Sequence, residues 1–393
     1  HSAQTDYTGK LNRQRTAAAP RALTPERGGQ EHPERDTMSE ARSLYRPEWL
    51  TQPENPADLS RSIWTDSFTR NAEGELCIDG VTVSELAAEH GTPQYVFSET
   101  TFRARARAYR TAFEQAFAKH GAQVSVYYAG KSFLSTAVVR WVREEGLCLD
   151  TASGGELALA LRGGMPGERI ALHGNNKSEA EIARAIRSGL GRVVADSVDE
   201  IKLIERVYAE LAAERVAEGE EPYPPVPVLI RITPGVHVST HETIATAHED
   251  QKFGLSLATG QAYEAVAAIK DAPHLDFRGL HSHIGSQIFG TEAFAEAARI
   301  VIDFAARVSG ELGLDVPAID LGGGVGIAYT GQDPVPTSPV EVARALAEVV
   351  RERCAHHGLP IPHVSVEPGR SIAGPSMVML YRVGVVKDRG GAA

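Results

Sequence analysis

Residues 318–324 read AIDLGGG, a short apolar run closed by an acid and three successive glycines. Glycines in that setting let backbone N–H groups approach an anion closely, which holds a phosphate without a positive side chain. A tight turn from strand to helix is the plainer reading. Where this run falls in the chain decides the fold. A doubly wound open sheet carries its phosphate loop after the first strand. Here six comparable runs come before residue 318 and one after it: VSVYYAGK (124–131), LCLDTAS (147–153), RIALHGN (169–175), RVVADS (192–197), PVLIRITP (227–234), FRGLHSHIG (277–285) and HVSVEPGR (363–370). The glycines therefore follow the seventh of eight strands. Between the runs lie stretches of helical period such as SEAEIARAIRSGL (178–190) and TEAFAEAARIVIDFAARVSGEL (291–312). Eight strands alternating with helices over 124–370 match the roughly 250 residues of a (β/α)₈ barrel, so an α/β TIM-type barrel is expected.

The flanks read differently. ELCIDGVTVSELAAEHG (75–91) is a turn between two strands followed by a helix, and YVFSE (95–99) is a lead-in strand. SMVMLYRVGVVKD (376–388) alternates like a strand with no later segment to pair with, an aggregation hazard. A second β domain built from both flanks is expected, its C-terminal part incomplete. The boundaries are 1–50 for a disordered extension, 51–94 and 373–393 for the two parts of the β domain, and 95–372 for the barrel. Residues 1–37 are polar and rich in Pro and Gly, have no apolar core of a secretory signal, and leave Met38 as the natural start.

The formal charge of −11, without a dense Lys/Arg patch, argues against nucleic acid and for a small-molecule ligand. No apolar run approaches the roughly 20 residues that cross a bilayer, so no membrane partner is expected. Cys77, Cys148 and Cys354 are few, distant and outside any zinc-ligand spacing, which points to a reducing cytoplasm and no metal.

In such a barrel the chemistry sits at the C-terminal strand ends. There the sequence puts Lys131, Asp150–Ser153, His173–Asn175, Asp196, Arg231–Pro234, His281–Ser286, Gly322–Gly324 and Glu367–Arg370. Lys131, just beyond an apolar strand, is a desolvated amine able to form a Schiff base, or an ordinary solvated lysine. Pro368 and Gly369 aim Glu367 inward and Arg370 at an anion, unless the two form a surface ion pair. His281 and His283, at i and i+2, share one face of a strand, the geometry of a chelating pair. His281 is equally a satisfied core histidine, and His283, before a Gly-Ser turn, is placed to stack on a planar ring.

YYAGK, HGNNKS (173–178), HEDQKFG (248–254), GLHSHIGSQ (279–287), DLGGG and EPGRSIAG (367–374) together resemble the diaminopimelate decarboxylases, barrel-type enzymes dependent on pyridoxal 5′-phosphate. The resemblance implies that Lys131 carries the cofactor covalently, that His283 stacks on its ring, and that Glu367 pairs with the ring nitrogen. It implies that Ser286, Gly322, Gly323, Gly324, Gly369 and Arg370 hold the cofactor, Arg370 also meeting a substrate carboxylate. The substrate would be an amino acid and the whole protein a homodimer of the lysine-biosynthetic pathway. Ornithine and arginine decarboxylases share these cofactor residues; a non-catalytic regulator that binds the cofactor and a metal-dependent barrel hydrolase are the other readings. The resemblance also implies a later β domain with a Cys-Glu-Ser motif. None of Cys77, Cys148 or Cys354 lies in such a motif, so the 393-residue chain is expected to turn over little or not at all.

Overall fold

The structure, a computed structural model, describes residue 55 and residues 57–236 and 252–386. The extension expected at 1–50, most of HEDQKFG and the last residues of the C-terminal flank lie outside the described residues. Strands β1 (Phe68–Arg70), β2 (Leu76–Ile78) and β3 (Val81–Thr82) form an antiparallel meander. The β2–β3 turn is Asp79-Gly80, both at positive φ, the pairing a two-residue hairpin demands. Thr82 then caps helix Val83–His90, its hydroxyl accepting from the Glu85 amide while the Glu85 carboxylate accepts from the Thr82 amide. Strand β4 (Gln94–Phe97) follows.

The eight expected barrel strands are all present: β5 (Val124–Ala129), β6 (Cys148–Thr151), β7 (Ile170–Leu172), β8 (Arg192–Ala195), β9 (Val226–Thr233), then, after the short β10 (Leu255–Ser256) beside β9, β11 (Leu275–His281), β12 (Ala318–Asp320) and β13 (His363–Val366). Every neighbouring pair is parallel, and the pairings β13 with β5 and β8 with β9 close the ring. An open sheet is thereby excluded. Ser135, Ser153, Ser178, Ser197 and Ser338 each accept the amide three residues on, so five strand-to-helix loops end on the same cap.

One helix was not read from the sequence. Glu99–Ala118 buries Phe102, Ala106, Tyr109, Phe113 and Phe117 against β5 and against helix Pro339–His357. It occupies the place in the outer ring that a helix after β13 would take, where only the turn Arg370–Ala373 stands. The strand read as partnerless also finds a partner, earlier in the chain rather than later: β14 (Met377–Leu380) pairs antiparallel with β4. Ala57–Arg382 makes one compact unit.

Candidate active site

Glu367 follows β13 at the mouth of the barrel and is 3% exposed. His281 ends β11, where a bulge at Gly279 re-aims the strand; a Cβ on Gly279 would stand 1.8 Å from the Ala318 carbonyl oxygen. The Nε2 of His281 lies 3.1 Å from Glu367 Oε1. The Nε2 of His173, after β7, lies 3.4 Å from that same oxygen and 3.2 Å from Asp150 Oδ1. Burial pushes His173 down to about 4 and His281 well below the ordinary imidazole range, so both rings are held toward their neutral form. Burial raises Glu367, with the Asp150 charge adding to it, and raises Asp150 well above the carboxylate range, with Asp320 adding to it.

The two histidines of HSHIGSQ thus part company. His281 is fully buried behind Glu367, while His283 lies beyond the strand, partly buried, with Nδ1 accepting the Gly323 amide at 3.1 Å. Burial, then the charges of Lys131 and Arg231, hold the His283 ring well toward its neutral form. The glutamine of the motif clamps two loops: Gln287 donates to the Ile327 carbonyl at 3.0 Å and accepts its amide at 2.9 Å.

The glycine loop divides its amides. Gly322 donates to Asp320 Oδ1 at 2.9 Å and Gly323 to His283, whereas the Gly324 amide has no acceptor among the described residues. A Cβ on Gly323 would lie 2.0 Å from the Glu367 carbonyl oxygen, and one on Gly324 2.1 Å from that of Gly285. These residues are glycine so that the loops after β11, β12 and β13 can touch. Beneath the loop, Arg192 reaches up from the start of β8 to Asp320 Oδ2 at 2.9 Å, the Tyr127 hydroxyl at 2.6 Å and Ser365 Oγ at 3.1 Å. A charge at a strand start is usually solvated, so nothing in the local pattern marks this arginine as buried.

Lys131 lines one cleft with Gly130, Asp150, Thr151, Ala152, His173 and Glu367. It is exposed rather than desolvated as its apolar strand suggested. The EPGR turn reaches Lys131's strand because the Ala129 amide donates to the Pro368 carbonyl at 3.2 Å. A Cβ on Gly369 would meet that of Ala129 at 2.9 Å. Arg370 donates from Nε to Ser286 Oγ at 3.2 Å and from Nη1 to the hydroxyl of Tyr329, a residue the sequence did not single out.

Other strand-end groups hold structure. Asp196 accepts the Gly254 amide at 2.9 Å and faces Arg231 at 3.7 Å; burial pushes its carboxyl up to about 6 against the pull of that arginine. Lys177 of HGNNKS is buried, its Nζ donating to Glu200 at 2.6 Å and to the Gly174 and Val194 carbonyls.

The chemistry of these donors fits a pyridoxal phosphate. An amine and two inward carboxylates border one cleft, and the buried Asp150 Oδ2 has no partner among the described residues. Glu367 Oε2 likewise takes no donor among them. A hydroxyl, a guanidinium and an unpaired amide suited to a phosphate lie on the neighbouring loops. His173, His281 and Glu367 also bring ligand atoms within 4.8 Å of one another, a set that could hold a metal ion.

Comparison with known proteins agrees with the cofactor. The pyridoxal binding domain of the pyridoxal-dependent decarboxylases matches residues 100–374. The diaminopimelate decarboxylase of Mycobacterium tuberculosis is 45% identical over 335 residues, 84% of this chain and 70% of that one. That of Bacillus subtilis is 39% identical over 319 residues, 81% and 69% of the two chains. Among solved structures, diaminopimelate decarboxylase from M. jannaschii in complex with L-lysine superposes with a TM-score of 0.74 at 30% identity, covering 83% of this chain and 71% of that one. No helix among the described residues is long and apolar enough to cross a membrane. The chain therefore belongs to the pyridoxal-dependent decarboxylases, and within them to the diaminopimelate decarboxylases.

Proposed function

We propose that the protein is a carboxy-lyase that takes meso-2,6-diaminopimelate to L-lysine and CO₂ with pyridoxal 5′-phosphate held at Lys131. The observation that carries this reading is the cleft shared by Lys131 and the buried Glu367. When bound, the cofactor supplies an electron sink for the pair left behind as CO₂ departs. Lys131 would hold the cofactor through its aldehyde carbon. Glu367 would keep a proton on its ring nitrogen, which would deepen that sink. His283 presents a neutral ring, fixed by Gly323, to one face of the heterocycle. Ser286, the Gly324 amide, Gly369 and Arg370 take the phosphate, and Arg370 also meets a substrate carboxylate; Gly322 and Gly323 serve by shaping the loop.

Turnover by this chain alone is proposed to be weak, since none of Cys77, Cys148 and Cys354 lines the cleft to serve as a thiol acid. Residues 51–94 and 373–393 are proposed as the two parts of a second β domain, although β14 of the later stretch pairs with β4, which shares only Gln94 with the earlier one. A homodimer follows from the resemblance, and a cytoplasmic site is supported by three unpaired cysteines. The test adds pyridoxal phosphate to the protein and to Lys131→Ala and then borohydride: only the unaltered chain should retain cofactor covalently, and CO₂ release should favour meso-diaminopimelate over ornithine and arginine. Equal retention by both would sink the assignment of Lys131.

A further inference from the structure

We propose that His281 and His173 are positioning residues that set the protonation of the cofactor's ring nitrogen by gripping Glu367 from behind. The inference rests on the cofactor assignment above and adds a control over it. Both Nε2 atoms converge on one oxygen of the carboxylate, Oε1, at 3.1 and 3.4 Å. Oε2, with no donor among the described residues, is left to the ring nitrogen. The two imidazoles meet edge to face, their centroids 5.0 Å apart, so each fixes the other's orientation.

The arrangement is maintained against a cost. His281 is 0% exposed and its Nδ1 has no partner among the described residues, a situation that lowers stability and that an apolar residue would avoid. What the histidine provides is its other nitrogen. Glu367 sits in a low-dielectric site with Asp150 nearby, and burial, then that charge, drive it toward the neutral acid against the pull of His173, Lys131 and Arg231. A neutral acid would donate to the ring nitrogen instead of keeping a proton there. With its proton on Nε2, His281 donates to Oε1 and favours the ionised carboxylate, because a hydrogen bond to the charged form stabilises that form, and His173 stands beside the same oxygen at 3.4 Å. His173 also reaches Asp150 Oδ1 at 3.2 Å and so joins the two carboxyls.

The test uses the full chain loaded with pyridoxal phosphate labelled with ¹⁵N in the ring, and reads the nitrogen chemical shift and the visible band. The unaltered protein should give the protonated signal. His281→Leu and His173→Leu should move it toward the unprotonated one while cofactor stays covalently retained after borohydride. His281→Gln, which keeps an N–H near the Nε2 position, should restore the protonated signal, whereas the shorter His281→Asn should not. Glu367→Gln should lose the signal, and adding His281→Leu to it should cause no further shift. A protonated signal in both leucine variants overturns the proposal and leaves Lys131 attachment standing. Absence of covalent cofactor in the unaltered protein overturns both. Should the leucine variants not fold, the contrast between His281→Gln and His281→Asn decides. Stoichiometric zinc lost on changing any one of the three residues would also overturn it.

Discussion

The Gly323 amide donates to Nδ1 of His283 at 3.1 Å. That bond makes Nδ1 an acceptor, puts the ring proton on Nε2 and prevents the ring from turning about its own axis. His283→Ala should weaken pyridoxal phosphate binding about two- to thirteenfold, the range of about 0.5–1.5 kcal/mol for one aromatic stack. His283→Phe should recover most of it. Titration of the visible band against cofactor concentration measures both; equal affinity in all three proteins would remove His283 from the ring face.

Gly323→Ala should be poorly tolerated whether or not cofactor is present, because its Cβ would lie 2.0 Å from a backbone oxygen that follows a barrel strand. A loss of about 1–3 kcal/mol is expected from forcing backbone apart. Urea unfolding of the cofactor-free protein reads it, and an unchanged midpoint would show that the loops are not in contact.

Arg192→Met should be strongly destabilising, by about 3–5 kcal/mol, since it strands the buried Asp320 carboxylate and removes a donor from Tyr127. The double variant Arg192→Met with Asp320→Asn should recover part of that loss. Additive losses would mean that the two side chains are not coupled.

His173 gives a pH dependence with a definite sign. Its folded value of about 4 lies below the ordinary imidazole value of 6.5, so between those limits the unfolded chain binds the extra proton. Its contribution is present above pH 6.5 and is lost as the pH falls toward 4. Relative to His173→Gln, the protein should lose up to about 3 kcal/mol of stability across that window. Asp196, raised to about 6, works in the opposite direction but is common to both proteins and cancels in the difference. A constant difference over that window would show His173 to be solvated.

The barrel was legible because each strand ends in small or polar residues and five of the following helices begin on a serine, signals that act locally. Placement of Lys131, Glu367 and the glycines after particular strands followed from the count. What local reading could not supply was the contact across the mouth. The pairing of His281 and His173 on one oxygen joins β11, β7 and β13, residues separated by 86 positions in the case of His281 and Glu367. The i and i+2 spacing suggested that His281 and His283 act together; the strand ends at His281, and the two rings serve different neighbours. The partners of Arg192 lie across the barrel, where no local pattern points to them, and the stripe of Phe, Ala and Tyr in helix Glu99–Ala118 marks a buried face without saying where in the ring it packs.

The short ladder of β4 and β14 has a mechanical consequence. Gln94 stands opposite Leu380 and Phe97 opposite Met377, so the outward-leading ends of both strands emerge on the same side. Tension drawn through the flanks would peel this pair one rung at a time, as a zipper opens, rather than shear its rungs together. In an optical trap the flanks should yield first, at low force, with the closed ring of eight strands giving way only later and abruptly.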